Sequence, residues 1–400
     1  MNEKRIGILG NVDSGKSTII SVLTNNILDN GRGSARKKIL KHNHEQDSGR
    51  TSCITHKYLK FNETTTISYV DLAGHEKYYK TTIFGATCCS LDFVMIMIGA
   101  NMGVSHMTRE HLLLALILKI PIIFVISKID LCPEEILQNT LKDINVILKR
   151  YKCSNNIVEL TEDNKIELYD LHNNNIYPIL KVSNTTGLNI ELLKDYLGNV
   201  VVKKRWEELT ESNSLVLIED IFFVNGVGIV ISGTINSGVI KKGGRYMIGP
   251  FNGIFREVTI KSIHNNFREF VDEIHCGKSG CFNIKTNEKK FQLKKSVLKR
   301  GMMLIDINSD AHTYMEFRAK VKILHHPTTI KKNYETMIHC GTIKQVAKII
   351  FVEQDLLRTG DQSNVIFRFK RKPEFIQKNN QIIFREGKTK GVGIVTELLK

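Results

Sequence analysis

The strongest constraint in the chain lies near its start. There Gly10-Asn11-Val12-Asp13-Ser14-Gly15-Lys16-Ser17-Thr18 follows the apolar run Ile6-Gly7-Ile8-Leu9 and opens into Ile19-Ile20-Ser21-Val22-Leu23. Strand, glycine-rich loop and helix in that order form the setting in which a G-x-x-x-x-G-K-[ST] pattern grips phosphate. The glycines let backbone N–H groups turn toward an anion, and the helix N-terminus adds positive dipole. The pattern assigns Lys16 to the β- and γ-phosphates and the Ser17 hydroxyl to Mg²⁺. Residues 10–18 are read as a nucleotide-binding loop.

The alternation of strands and helices continues. Between Asn25 and Arg50 runs a polar, basic connection too long to be a silent loop. In it Arg32, Arg36, Lys37, Lys38 and Lys41 either face RNA or make the solvated side of a short helix. Thr64 to Val70 is rich in β-branched residues and reads as a strand leading into Asp71-Leu72-Ala73-Gly74-His75-Glu76. A helix over Lys77–Cys89, a strand over Phe93–Ile98 and a helix over Thr108–Leu118 follow. The strand Ile122–Ile126 then delivers Ser127-Lys128-Ile129-Asp130, and a helix spans about Pro133 to Tyr151. The polar, Asn-rich stretch Asn155–Asn175 reads as a surface insertion before the strand Pro178–Ser183 and a helix near Leu188–Leu197. This pattern predicts a P-loop α/β domain, a doubly wound and mostly parallel sheet, over residues 1–205. Lys203 to Asn213 reads as a charged linker. From Leu215 onward, short strands with glycine turns predict two antiparallel β-barrels, over 214–308 and 312–400.

The formal charge of +16 points to a polyanionic partner, nucleic acid, although a basic surface also serves plain solubility. The excess gathers at the end of the chain, where residues 311–400 hold 17 Lys and Arg against 8 Asp and Glu. The 8 cysteines contain no C-x-x-C pair, which predicts a reduced, intracellular protein. No signal peptide precedes the first strand, and the longest apolar stretch, Leu112–Ile126, is broken by Lys119 and Pro121. The expectation is a cytoplasmic monomer that does not enter a membrane.

Four further segments, each at the end of a predicted strand, separate GTPases from other P-loop proteins. Ligands in such folds bind outside the carboxyl ends of the strands, so these segments should converge. Asp71-Leu72-Ala73-Gly74 is a D-x-x-G: Asp71 holds Mg²⁺ through a water, and the Gly74 amide faces the γ-phosphate. Thr51 offers a second hydroxyl to Mg²⁺ on a loop ordered by the γ-phosphate. Ser127-Lys128-Ile129-Asp130 is similar to the N-K-x-D guanine motif. Asp130 accepts from guanine N1 and N2, a donor pair that adenine lacks, while Lys128 lies along the base. Ser127 stands where Asn is usual, which predicts weaker bracing of the loop. Ser183 and Asn184 place backbone near the guanine carbonyl. Together these segments describe a site for GTP or GDP with Mg²⁺, the metal ligands being Ser17, Thr51 and Asp71. His75 stands where Ras-like GTPases carry the Gln that orients the attacking water.

With these residues in hand the chain resembles the translational GTPases of the elongation factor Tu and elongation factor one-alpha class. Within that class it is more similar to the eukaryotic GTP-binding-protein one/two subfamily. The likeness rests on Leu28-Asp29-Asn30-Gly31-Arg32-Gly33, Glu45 to Thr51, Asp71 to Tyr78 and Lys128-Ile129-Asp130. It continues in the barrels with Gly226–Thr234, Leu324–Thr329, Leu357–Asp361 and Phe384–Gly387. The resemblance implies delivery of aminoacyl-tRNA or a related RNA to ribosomes, with links to ribosome rescue or mRNA decay. It also implies that His75 orients water only when ribosomal RNA places it. Relatives carry a region before the G domain that this sequence is expected to lack. Arg50 stands where elongation factor Tu has an apolar gate residue, so that gate is not carried over. Two other readings remain: a GTP-switched RNA-binding or mRNA-decay adaptor with incidental hydrolysis, and a metabolic relative of the same fold.

Overall fold

The computed structural model describes residues 2–39, 51, 53–151, 156–171, 176–202, 206–286, 288, 291, 293–387 and 389–399. Lys41 and Arg50, both singled out above, lie outside them. The chain divides into two compact units, Met1–Ala86 with Ser90–Lys204, and Arg205–Lys400 with Thr87–Cys89.

The first unit is built on β1 (Asn2–Gly10), β2 (Thr55–Lys60), β3 (Thr65–Asp71), β4 (Phe93–Gly99), β5 (Ile122–Ser127), β6 (Asn156–Glu159) and β7 (Ile176–Lys181). They form one seven-stranded sheet in the order β2-β3-β1-β4-β5-β7-β6. All neighbours are parallel except the edge pair β2–β3. The strands β4 and β5 are buried along their whole length, as expected of strands covered on both faces. From β1 the chain moves to β3 on one side and then to β4 on the other, and this reversal opens a crevice at the carboxyl end of β1.

Two elements escaped the sequence reading. The strand β2 holds Lys57, Tyr58 and Lys60 on the sheet edge, where a half-exposed strand shows little apolar pattern. Asn156–Glu159, expected within a surface insertion, instead pairs parallel with β7. Four residues are too short to register a period of two against their Asn-rich flanks.

In the second unit β8 (Leu215–Val224), β9 (Gly228–Ser237), β11 (Arg245–Phe251), β12 (Ile254–His264), β15 (Ser279–Thr286) and β16 (Met303–Asp306) close into an antiparallel ring. The short β10 (Val239–Lys241) pairs with β14 (Glu273–His275), and β13 (Phe270–Val271) extends β12. A second closed barrel joins β17 (Glu316–His325), β18 (Glu335–Cys340), β19 (Ile343–Val352), β20 (Gln362–Phe369), β21 (Gln381–Glu386) and β22 (Thr389–Leu398). Closure leaves these rings without a free sheet edge, and each fills its interior with side chains. Ile218, Ile231, Val258 and Phe282 lie in the first core, and Phe317, Ile338, Phe367 and Phe384 in the second. The expected two barrels are present. The expected charged linker is not wholly irregular: Trp206–Thr210 is a short helix, and Trp206 packs on the first barrel's core, where its ring faces Gly277. One tryptophan is enough to dock a helix whose other residues show no apolar period. Among the described residues no helix is long and apolar enough to cross a membrane.

Candidate functional site

The loop after β1 turns directly into the helix Lys16–Asn25, whose N-cap is Gly15 in the left-handed region. That helix has no side-chain cap and no acidic residue in its first turn. By contrast, the helix His106–Ile117 is capped by the Ser105 hydroxyl on the Thr108 amide. First-turn amides without a side-chain acceptor, at the positive end of a helix, are what an anion needs.

A cleft opens over this helix end, walled by Val12, Asp13, Gly15 to Thr18, Arg36, Thr51, Gly74 and His75. Gly10, Asn11 and Ser14 are not on its surface but shape it. The Asn11 carbonyl accepts from Lys16 Nζ at 2.6 Å and from the Ser14 hydroxyl at 2.8 Å. Gly74 packs straight onto the loop: a Cβ there would lie 2.4 Å from Lys16 Nζ and 2.7 Å from the Gly10 carbonyl. Only glycine admits this approach. Burial pulls the Lys16 ammonium down to about 8, against the partial support of Asp71 and then Asp13.

At the floor of the cavity three oxygens from three distant segments meet. The Ser17 hydroxyl donates to Asp71 Oδ2 at 2.6 Å, Thr51 donates to the same oxygen at 3.1 Å, and the two hydroxyls lie 3.0 Å apart. All three residues are at least nine-tenths buried. His75 stands at the rim, half-buried, and its Nδ1 accepts from the Lys77 amide at 3.1 Å. That contact caps the 3-10 turn Glu76–Tyr78 and leaves Nε2 as the nitrogen free to act on something else.

The other predicted residues form a second group beside the first. Lys128 takes a left-handed conformation at the start of the turn Ile129–Leu131. Asp130 is exposed, and its Oδ2 accepts from the Thr185 hydroxyl at 3.0 Å. Slight burial works against its charge, but hydrogen bonds with Ser183 and Thr185, its own backbone contact and Lys128 hold the carboxyl below its ordinary range. Ser183 is buried and caps the turn through the Thr185 and Thr186 amides. Ser127 does brace the loop: its buried hydroxyl donates to the Ser14 carbonyl at 2.8 Å. Asn184 lies on the same side of Gly15, its Nδ2 and the Ser127 Oγ each 3.4 Å from the place a Gly15 Cβ would take. A shorter hydroxyl at 127 and an amide at 184 thus flank the glycine together.

Two residues were missed. His111 is buried beneath the loop and its Nδ1 accepts from the Gly10 amide at 2.9 Å, with the ring stacked 5.6 Å from Tyr79. Burial first, then the charge of Lys16, holds the imidazole down to about 3, so it is neutral. The signal was a histidine in the buried stripe Met107-His111-Leu114 of a helix. Arg36, read as facing RNA or solvent, instead lies on the cavity wall. Nothing in its spacing marks it, because the turn that carries it is held by side chains of Asp29 and Asn30.

The family model for the elongation factor Tu GTP binding domain matches residues 1–205. The chain belongs to this family of GTPases. Its similarity to two curated relatives extends over both barrels. GTP-binding protein 1 from Xenopus laevis is 39% identical, aligned over 100% of this chain and 64% of that protein. GTP-binding protein 2 from Homo sapiens is 34% identical over 98% of this chain and 69% of that protein. The chain thus spans about two thirds of the length of these relatives. Among solved structures, translation elongation factor SelB from Methanococcus maripaludis, in complex with the GTP analogue GppNHp, superposes with a TM-score of 0.74. At 22% identity, over 100% of this chain and 80% of that one, it shows the common fold of a GTPase domain followed by barrels. Binding of GTP or GDP agrees with the family and with the cavity.

Proposed function

We propose that this protein is a cytoplasmic, monomeric translational GTPase that binds GTP with Mg²⁺ and delivers aminoacyl-tRNA or a related RNA to the ribosome. The observation that carries the reading is the meeting of Ser17, Thr51 and Asp71 beside Lys16 and Gly74. Oxygen donors alone, two hydroxyls and a carboxylate, suit a hard divalent cation and not a soft one. A magnesium ion held by Ser17, Thr51 and Asp71 would supply positive charge to offset that of the phosphates.

The chain's own residues do the rest. Amides of the loop and of the first helical turn cradle the phosphates, and Lys16 places its charge between the β- and γ-groups. A phosphate there returns to Lys16 the counter-charge that burial removes. Thr51 closes the floor of the site beside Ser17 and Asp71, where its hydroxyl faces the metal and the γ-phosphate. The Gly74 amide faces the γ-phosphate, and Asp130 selects guanine. His75, with Nδ1 occupied by the Lys77 amide, orients the attacking water through Nε2.

Support for an RNA partner comes from charge. In β17 the buried Phe317, Ala319, Val321 and Ile323 alternate with outward Arg318, Lys320 and Lys322. Binding through such a surface should weaken with salt, each phosphate contact adding about 0.7–0.9 to the log–log slope.

The test is GTP hydrolysis by the wild type with and without ribosomes and aminoacyl-tRNA. Slow hydrolysis alone and strong acceleration by ribosomes support the reading. If ribosomes change nothing while RNA binding still depends on GTP, the protein is a GTP-switched RNA-binding adaptor instead.

A further inference from the structure

Arg36 sits on the wall of the phosphate cavity although no part of the P-loop pattern supplies it. Its place is built by its neighbours. The Asp29 carboxylate accepts from the amides of Gly31, Gly33 and Ala35 at 2.9, 3.1 and 2.9 Å. The Asp29 amide in turn donates to the Asn184 carbonyl at 2.8 Å, which fastens the turn to the loop after β7. On the other side, Ala35 and Ile39 are buried in the core shared with β1 and the helix Lys16–Asn25. The backbone under Arg36 is therefore held from both ends.

The side chain folds back over Gly33, whose φ is 81°. A Cβ at residue 33 would come within 2.6 Å of Arg36 Nε, so the glycine both makes the turn and leaves the corridor. Beyond it the guanidinium reaches the P-loop, where Nη1 lies 3.7 Å from Asp13 Oδ1. That separation is too long for a hydrogen bond. With the arginine one-third and the aspartate more than half exposed, the pair holds the guanidinium only weakly. A planar fork of donors at the edge of a phosphate cavity, weakly engaged, has a better acceptor available in a phosphoryl group than in Asp13.

We propose that Arg36 is an arginine supplied in cis to the nucleotide: it leaves Asp13 when the triphosphate binds and donates to the γ-phosphate. This rests on the GTP-site reading above. The γ end is favoured because Arg36 shares the wall with Thr51, Gly74 and His75, the residues assigned to that phosphate. An arginine there distinguishes GTP from GDP and neutralises charge that builds on the transferring phosphoryl.

The experiment compares the wild type with Arg36→Ala and Arg36→Lys, each checked by thermal melting for an unchanged fold. Fluorescent GppNHp and GDP are titrated onto all three. The expected result is a loss of about tenfold or more in GppNHp affinity for Arg36→Ala, less than about threefold for GDP, and partial recovery with lysine. Single-turnover hydrolysis should slow in the same order. Equal losses for both nucleotides, or no loss for GppNHp, overturn the proposal while leaving the GTP site intact. If the wild type binds neither nucleotide, the reading of the site itself fails first.

Discussion

The proposed phosphate end and the proposed base end of the nucleotide site are built by opposite means. At the phosphate end Ser17, Thr51 and Asp71 are buried, bonded to one another and roofed by Lys16, itself stripped of water. At the base end Asp130 stands exposed, its carboxylate steadied by the Thr185 hydroxyl on a turn that Ser183 caps. Burial makes each charge–phosphate contact strong, and it makes the empty site costly to maintain. Exposure makes Asp130 inexpensive to keep ready, and on the proposed reading its strength would appear only when guanine excludes water from it. Affinity should therefore come chiefly from the first end and choice of nucleotide from the second. Substitutions at the two ends should separate binding, selectivity and stability.

Lys16→Ala should have the largest effect. Removing the buried ammonium should weaken GTP and GDP alike by about 3 kcal/mol or more, on the order of a hundredfold, as read by calorimetry. Thermal stability should not fall, because the charge is buried against its preference. A loss of only a few-fold would mean that the phosphate end does not carry the affinity.

Asp130→Asn should lower GTP affinity by about 2–4 kcal/mol and confer preference for xanthosine triphosphate, whose 2-oxo group needs a donor. Its stability should stay within about 0.5 kcal/mol of the wild type, since the side chain is exposed. A large drop in stability would erase the contrast between the ends.

The support beneath the loop comes next. His111→Ala leaves the Gly10 amide without its acceptor and should cost about 2 kcal/mol of stability, measured by urea unfolding. Because burial holds His111 near 3 in the folded protein, the imidazole takes up a proton on unfolding at mildly acid pH. Its contribution is complete above about pH 6.5 and is lost progressively as pH falls toward 3. His111→Asn should flatten that slope in the pH profile. An identical slope in the variant would show that another group titrates.

The smallest effect belongs to the brace between the two ends. Ser127→Ala removes one buried hydrogen bond to the Ser14 carbonyl, about 1 kcal/mol, and should speed dissociation of GTP and GDP equally by a few-fold in stopped flow.

The contrast also explains what could be read without coordinates. The phosphate end announces itself, because an anion-binding turn demands Gly10, Gly15, Lys16 and Ser17 at fixed spacing on one continuous piece of chain. Asp71 and Asp130 were legible for a related reason: both follow strands whose β-branched, apolar runs mark where a strand ends. Thr51 could be named from its place before that strand, but its bonds to Ser17 and Asp71 are tertiary. Arg36 and His111 stayed hidden because neither owes its position to local sequence. One is aimed by a carboxylate seven residues earlier, and the other by the packing of a helix against β1. Ser127, shorter than the Asn of the usual motif, reaches the Ser14 carbonyl because it ends strand β5 beside the loop, a contact that no local pattern announces. The barrels were legible as a class from their glycine turns. The helix at Trp206 and strands β2 and β6 were not, since each is too short or too exposed to show a period.

The most direct measurement is competition between nucleotides on the wild type. A fluorescent GTP analogue is bound in the presence of Mg²⁺ and displaced with unlabelled GTP, GDP or ATP. A site whose phosphate end supplies affinity and whose Asp130 reads guanine should release the probe to GTP and GDP, and resist ATP at about a hundredfold excess. Displacement by ATP at the same concentration as GTP would contradict it.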